Sequence, residues 1–186
     1  MKGADSMPLP NTKIYTTEDI FALPEGERAE LIDGVIYDMA PPSTRHQIIV
    51  GELYATIRNF IKTHGGNCKP FISPFAVFLN EDSKNYLEPD ISVVCSLEKI
   101  DDKGCHGAPD WIIEVVSPGT QARDYGIKLF KYRTAGVREY WIVNPMNKTV
   151  TVYDLENDTG TGQYSFEESI AVNIFPNLII KISDLL

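Results

Sequence analysis

Two acidic side chains, Asp90 and Glu114, stand where their type and surroundings could do chemistry. Glu114 interrupts the apolar run Trp111-Ile112-Ile113-Glu114-Val115-Val116, the pattern of a strand covered on both faces. An ionised group in such a run is costly unless it is paired, protonated or bound to a metal. Asp90 follows Pro89 at the mouth of a second alternating segment, Ile91, Val93 and Cys95. Neighbouring strands would present two hard oxygen donors to one cation, a set suited to Mg²⁺ or Mn²⁺. Each residue alone has a plainer reading: Glu114 as the partner of a nearby Arg or Lys, Asp90 as a turn residue after proline. Their pairing is what favours the metal.

The elements that would position them can be read from periodicity and punctuation. Thr16 to Asp19 start a short helix that must end before Pro24. Glu30-Leu31-Ile32 and Val35-Ile36-Tyr37 flank Asp33-Gly34, the dipeptide that best supplies a two-residue hairpin turn. Ser43 caps a helix whose apolar positions Ile49, Leu53, Ile57, Phe60 and Ile61 recur at helical spacing until Gly65-Gly66. Phe75, Val77 and Leu79 alternate as a strand, and residues 80–85 are a polar turn. Pro118-Gly119 ends the strand of Glu114, residues 122–135 read as helix closed by Gly136, and residues 139–143 return to strand. Residues 149–153, 163–166 and 178–182 are short strands. Residues 43–143 thus run helix, strand, strand, strand, helix, strand, an α/β order with a mixed sheet. The length predicts one domain over residues 1–186, with residues 1–10 a loose leader.

This order, with Pro89-Asp90 and Glu114-Val115-Val116 on its second and third strands, resembles the PD-(D/E)XK nuclease superfamily. That core runs αβββαβ and carries Pro-Asp on the second strand and acid-x-Lys on the third. The third position here is valine. Side chains two apart share a strand face, so Val116 points where the lysine would and brings no ammonium. The run GAPDWIIEVVSPGTQARDYGIKLFKYRTAGVREYWIVNP, residues 107–145, resembles more closely the restriction endonuclease family usually called Uma-two. There an acid, a lysine and a tyrosine recur at the spacing of Asp124, Lys128 and Tyr132. The resemblance extends from Tyr15 to the C-terminus and includes the ELIDG segment at Glu30 and the strand after Phe175-Pro176.

The resemblance implies a restriction-endonuclease-like core and hydrolysis of DNA phosphodiesters with Mg²⁺ or Mn²⁺. Asp90, Glu114 and the Val115 carbonyl would hold the ion. Lys128, or Lys131 one turn further, would replace the motif lysine, Lys128 being preferred, and Glu30 would be the first-motif acid. Two plainer readings compete: Asp124 and Lys128, four apart on a helix, make an ordinary surface ion pair, and Glu30 is a solvent-facing strand residue. At the level of function the competitor is a nuclease-fold module that binds nucleic acid or protein without cutting, favoured by Val116 and by the acidic surface. A metal-dependent hydrolase acting on another substrate is a third reading.

A net charge of −9 excludes coating of nucleic acid by bulk electrostatics. Residues 121–148 depart from it, with six basic residues against Asp124 and Glu139. That segment offers a place for backbone phosphates, with Arg123, Tyr125 or Tyr132 as contacts to the strand. His46, His64 and His106 have no mutual metal spacing and read as surface residues, with His46 also a candidate phosphate contact. Tyr140-Trp141 reads as core. The three cysteines, Cys68, Cys95 and Cys105, fit neither a disulfide framework nor a metal pattern and read as reduced thiols. No apolar run is long enough to cross a bilayer, so a cytoplasmic address is expected, and the C-terminal strands either cover a sheet edge or make a homodimer contact.

Overall fold

A computed structural model describes residues 13–80, 82–157 and 160–186; the expected leader, residues 1–10, lies outside them. Thr16 caps α1 (Thr17–Phe21), with its amide donating to Asp19 Oδ2 at 2.9 Å. The expected hairpin joins β1 (Ala29–Ile32) to β2 (Val35–Asp38). Asp33 and Gly34 lie at φ 51° and 77°, the consecutive left-handed conformations that a two-residue turn of matching twist requires. In α2 (Thr44–His64), Ser43 Oγ accepts from the His46 amide at 3.2 Å. The buried stripe of α2 is Ile49, Val50, Leu53, Ile57 and Ile61.

The central sheet has six strands, ordered β11-β10-β9-β8-β5-β3. These are β3 (Lys69–Ile72), β5 (Ile91–Val94), β8 (Trp111–Val115), β9 (Glu139–Asn144), β10 (Thr149–Asp154) and β11 (Gly160–Ser165). Within this sheet only β8 and β9 pair in parallel. Between them runs a helical segment made of α3 (Gln121–Arg123), a π turn (Asp124–Lys128) and α4 (Leu129–Ala135). Gly136, at φ 95°, ends it as the glycine at that place predicts. The sheet is therefore mixed and the α/β expectation holds.

One strand differs from expectation. The partner of β5 is β3, with Pro70 inside it, whereas the segment around Val77 contributes only β4 (Val77–Phe78) to a small side sheet. That sheet also contains β6 (Ile100–Asp101) and β7 (Gly104–His106). Proline is tolerated in β3 because β3 is the sheet's edge, where a missing amide costs no ladder bond. A last pair, β12 (Ile170–Ala171) with β13 (Ile179–Ile180), covers one face beside α2.

The sheet separates two apolar layers. On the α2 side Trp111, Ile113 and Val115 of β8 meet Leu53, Ile57, Trp141 and Ile180. On the other side Ile112 and Val116 meet Tyr132, Tyr140 and Ile142. Tyr140 and Trp141 are fully buried, so their reading as core is right. The reduced-thiol reading is corrected: Cys68 and Cys95 form a disulfide, and only Cys105 is free and buried. They flank β3 and β5 directly beyond the Lys69–Val94 pair, so the antiparallel register sets them opposite one another. Spacing along the chain cannot reveal that proximity. Among the described residues no helix is long and apolar enough to cross a membrane.

Candidate active site

Where β5 and β8 part, two carboxylates occupy the gap. Their antiparallel ladder runs Val93–Trp111, Ser92–Ile112 and Ile91–Ile113, and the next pair in that register is Asp90 with Glu114. Pro89 precedes Asp90 and has no amide to extend the ladder. Side chains take over: the Val115 amide donates to Asp90 Oδ2 at 2.8 Å, and the Asp90 amide to Glu114 Oε2 at 3.4 Å. The two acids are thus neighbours on adjoining strands, as expected. From the first turn of α2, His46 Nε2 reaches Asp90 Oδ2 at 3.1 Å.

Lys128 enters from the opposite layer. Its Nζ lies 2.8 Å from Glu114 Oε1, 2.9 Å from Glu30 Oε1 and 3.5 Å from Asp124 Oδ1. It is only 4% exposed, so the surface-pair reading of Asp124 and Lys128 fails, and Glu30, at 1%, is no solvent-facing residue. The π turn is the local device that carries both Asp124 and Lys128 inward; such turns concentrate at functional sites. The Tyr132 hydroxyl, one turn on, donates to Glu114 Oε1 at 2.9 Å. Lys131 instead pairs with Asp33. Val116 packs into the core on the face of Glu114, as the two-residue period requires.

The charges do not balance. Lys128 is one cation among Glu30, Glu114 and Asp124, with Asp90 close by. Burial pushes the Glu114 and Asp124 carboxyls up, against the pull of the Lys128 ammonium. Burial also opposes the Lys128 charge, but Glu114, Glu30 and Asp124 outweigh it and hold the amine protonated, well above its ordinary value. For His46, burial is likewise outweighed by the bond to Asp90 and its charge, and the imidazole is raised.

The cluster opens into a cleft of about 640 Å³ lined by Glu30, Asp90, Glu114, Val115, Asp124 and Lys128. His46, Arg28, Arg45 and Arg123 also line it. Of the candidate strand contacts, Arg123 faces the cleft, whereas Tyr132 is fully buried against Glu114. The basic segment 121–148 does not form one patch: Lys128 is buried, Lys131 pairs with Asp33, and Arg138 pairs with Asp110 and Glu156. Arg28 and Arg45 come from elsewhere, and no periodicity or motif marks them. Arg28 is tied to Glu88, a buried acid that also accepts from the Tyr86 hydroxyl at 2.7 Å.

Among the described residues no three His, Cys, Asp or Glu side chains are arranged to hold an ion by themselves. The donor chemistry still fits Mg²⁺, which usually takes one or two carboxylates and completes its shell with solvent and substrate oxygens. An excess of carboxylate over ammonium in a buried cluster is also the electrostatic setting that a divalent cation relieves.

Comparison with known proteins agrees with this architecture. The chain is similar to a crystal structure titled a putative nuclease belonging to DUF820 from Anabaena variabilis, with TM-score 0.74 and 24% identity, covering 91% of this chain and 96% of that one. At that identity the likeness shows the fold. It is 30% identical over 135 residues to the uncharacterized protein slr1290 of Synechocystis, 72% of this chain and 69% of that protein. The family described as "Uma2: Putative restriction endonuclease" matches residues 17–183, and the chain belongs to that family.

Proposed function

We propose that this protein is a Mg²⁺- or Mn²⁺-dependent endonuclease that hydrolyses DNA phosphodiester bonds in the cleft over Asp90 and Glu114. The observation that carries the reading is the meeting of these two carboxylates at the parted end of β5 and β8, with a buried, charged Lys128 beside them. Family membership supports nuclease chemistry in general.

Asp90, Glu114 and the Val115 carbonyl would hold the ion, which when bound polarises the phosphodiester and lowers the pKa of bound water. The chain's own groups then have distinct tasks. Lys128, kept protonated, orients Glu114 and offers positive charge where the phosphate becomes more negative. Glu30 holds Lys128 from the β1 side, and Tyr132 fixes the same Glu114 oxygen. His46 orients Asp90. The lysine absent at Val116 is thereby supplied from the helix.

The test is calorimetric titration of Mg²⁺ and Mn²⁺ into the wild type, Asp90→Asn and Glu114→Gln, followed by cleavage of plasmid and single-stranded DNA. Metal binding and cleavage lost together in both variants, with folding intact, is the expected result. A wild type that binds neither ion, beside variants that lose only stability, would leave a nuclease-fold module that does not cut.

A further inference from the structure

We infer that Arg123, seated on the ring of Tyr37, forms a subsite for a backbone phosphate next to the scissile one. The inference rests on the nuclease reading and adds a residue that grips the substrate without touching the reacting atoms.

Three observations carry it. The Arg123 guanidinium lies 4.9 Å from the centroid of the Tyr37 ring, a cation–π seat that restricts an otherwise flexible side chain. Its Nε–H is buried without a hydrogen-bond acceptor among the described residues. No acceptor among the described residues therefore holds this N–H, and the part of the guanidinium that faces the cleft is what can meet a phosphate. Third, Arg123 lines the cleft one residue before Asp124, at the start of the π turn that aims Lys128 at Glu114.

The neighbouring cations are committed otherwise. Arg28 is held by Glu88, and Lys131 by Asp33. Arg45 also lines the cleft but is exposed, so it adds charge without a fixed direction. Asp124, beside Arg123 in the chain, turns its carboxylate to Lys128. A planar guanidinium facing the cleft suits a phosphodiester, whose two unesterified oxygens accept side by side. The partner is therefore the sugar–phosphate backbone, gripped without regard to base.

The full-length chain would be tested by fluorescence anisotropy with labelled DNA oligonucleotides and by cleavage kinetics in Mg²⁺. Arg123→Ala should weaken binding about tenfold or more and raise KM with kcat little changed; the slope of log affinity against log salt should fall by about one. Tyr37→Leu should weaken binding by a smaller factor, and Tyr37→Phe, which keeps the aromatic face, should restore it. Wild-type affinity and salt slope in Arg123→Ala, with cleavage intact, would overturn the subsite and leave the nuclease reading standing. A lowered Tm in Arg123→Ala and both Tyr37 variants, with binding unmoved, would make the pair structural and overturn it too. A wild type that neither binds nor cuts DNA overturns the subsite and the nuclease reading together.

Discussion

Lys128 illustrates how much one side chain can carry when its surroundings are unbalanced. It faces Glu114, Glu30 and Asp124 within ion-pair distance, so removing it strands three acids in a buried place. Lys128→Met should destabilise the fold by about 3–5 kcal/mol, the usual cost of breaking one side of a buried pair. It should also reduce cleavage about 10²–10³-fold, as expected for a lost charge-stabilising donor. Urea unfolding and turnover measured on the same preparation separate the two, and full activity in a folded variant would remove Lys128 from the chemistry. Cys105 gives a second, independent prediction. Burial pushes its thiol up to about 11, so at pH 8 it is almost wholly protonated and native protein should resist iodoacetamide. Unfolding without reductant should expose one reactive thiol, and reduction two more, from Cys68 and Cys95. Three thiols before reduction would show the disulfide to be absent.

At the scale of elements, what was legible in the sequence is what a local pattern can carry. The strand of Glu114 stands out because one acid breaks an apolar run, and the hairpin because Asp-Gly is nearly specific to its turn. The helix over residues 122–135 reads from period and Gly136, but its π turn has no composition of its own. Nothing local therefore says that Asp124 and Lys128 face inward. The edge strand β3, with Lys69 and Pro70, and the two-residue strand β6 are too short or too irregular to show a period, while the alternation of Phe75, Val77 and Leu79 overstates β4, which is two residues long. Glu139 is equally unmarked, since its sequence neighbourhood shows only the start of a strand. It is fully buried, accepting from the Trp141 indole at 2.7 Å and from the Asn173 and Ile174 amides at 3.2 and 3.0 Å. It ties β9 to the segment that leads into β13. Glu139→Gln replaces one acceptor oxygen by a donor amide facing amide donors and should cost about 1–3 kcal/mol, read as a lower urea midpoint at unchanged slope. A midpoint equal to wild type would mean that this tie contributes nothing.

For the whole molecule, the net charge of −9 and the site's own surplus of carboxylates both oppose the approach of a polyanion. Any hold on DNA must therefore be local. Of the cations lining the cleft, Arg28 is neutralised by Glu88 and Lys128 by Glu114, Glu30 and Asp124, which leaves Arg45 and Arg123 to add net charge for backbone phosphates. Two phosphate contacts release about two counterions, so log affinity for duplex DNA should fall with log salt at a slope of about −2. Proteins that bind through broad basic faces show much steeper slopes. Anisotropy titrations from low to physiological salt, with the divalent ion held constant, measure this directly. A slope near −2 would confine recognition to the cleft, whose depth then decides which DNA geometries bring a phosphate to Asp90 and Glu114. A slope of about −6 or steeper would require phosphate contacts beyond the cleft and overturn that confinement.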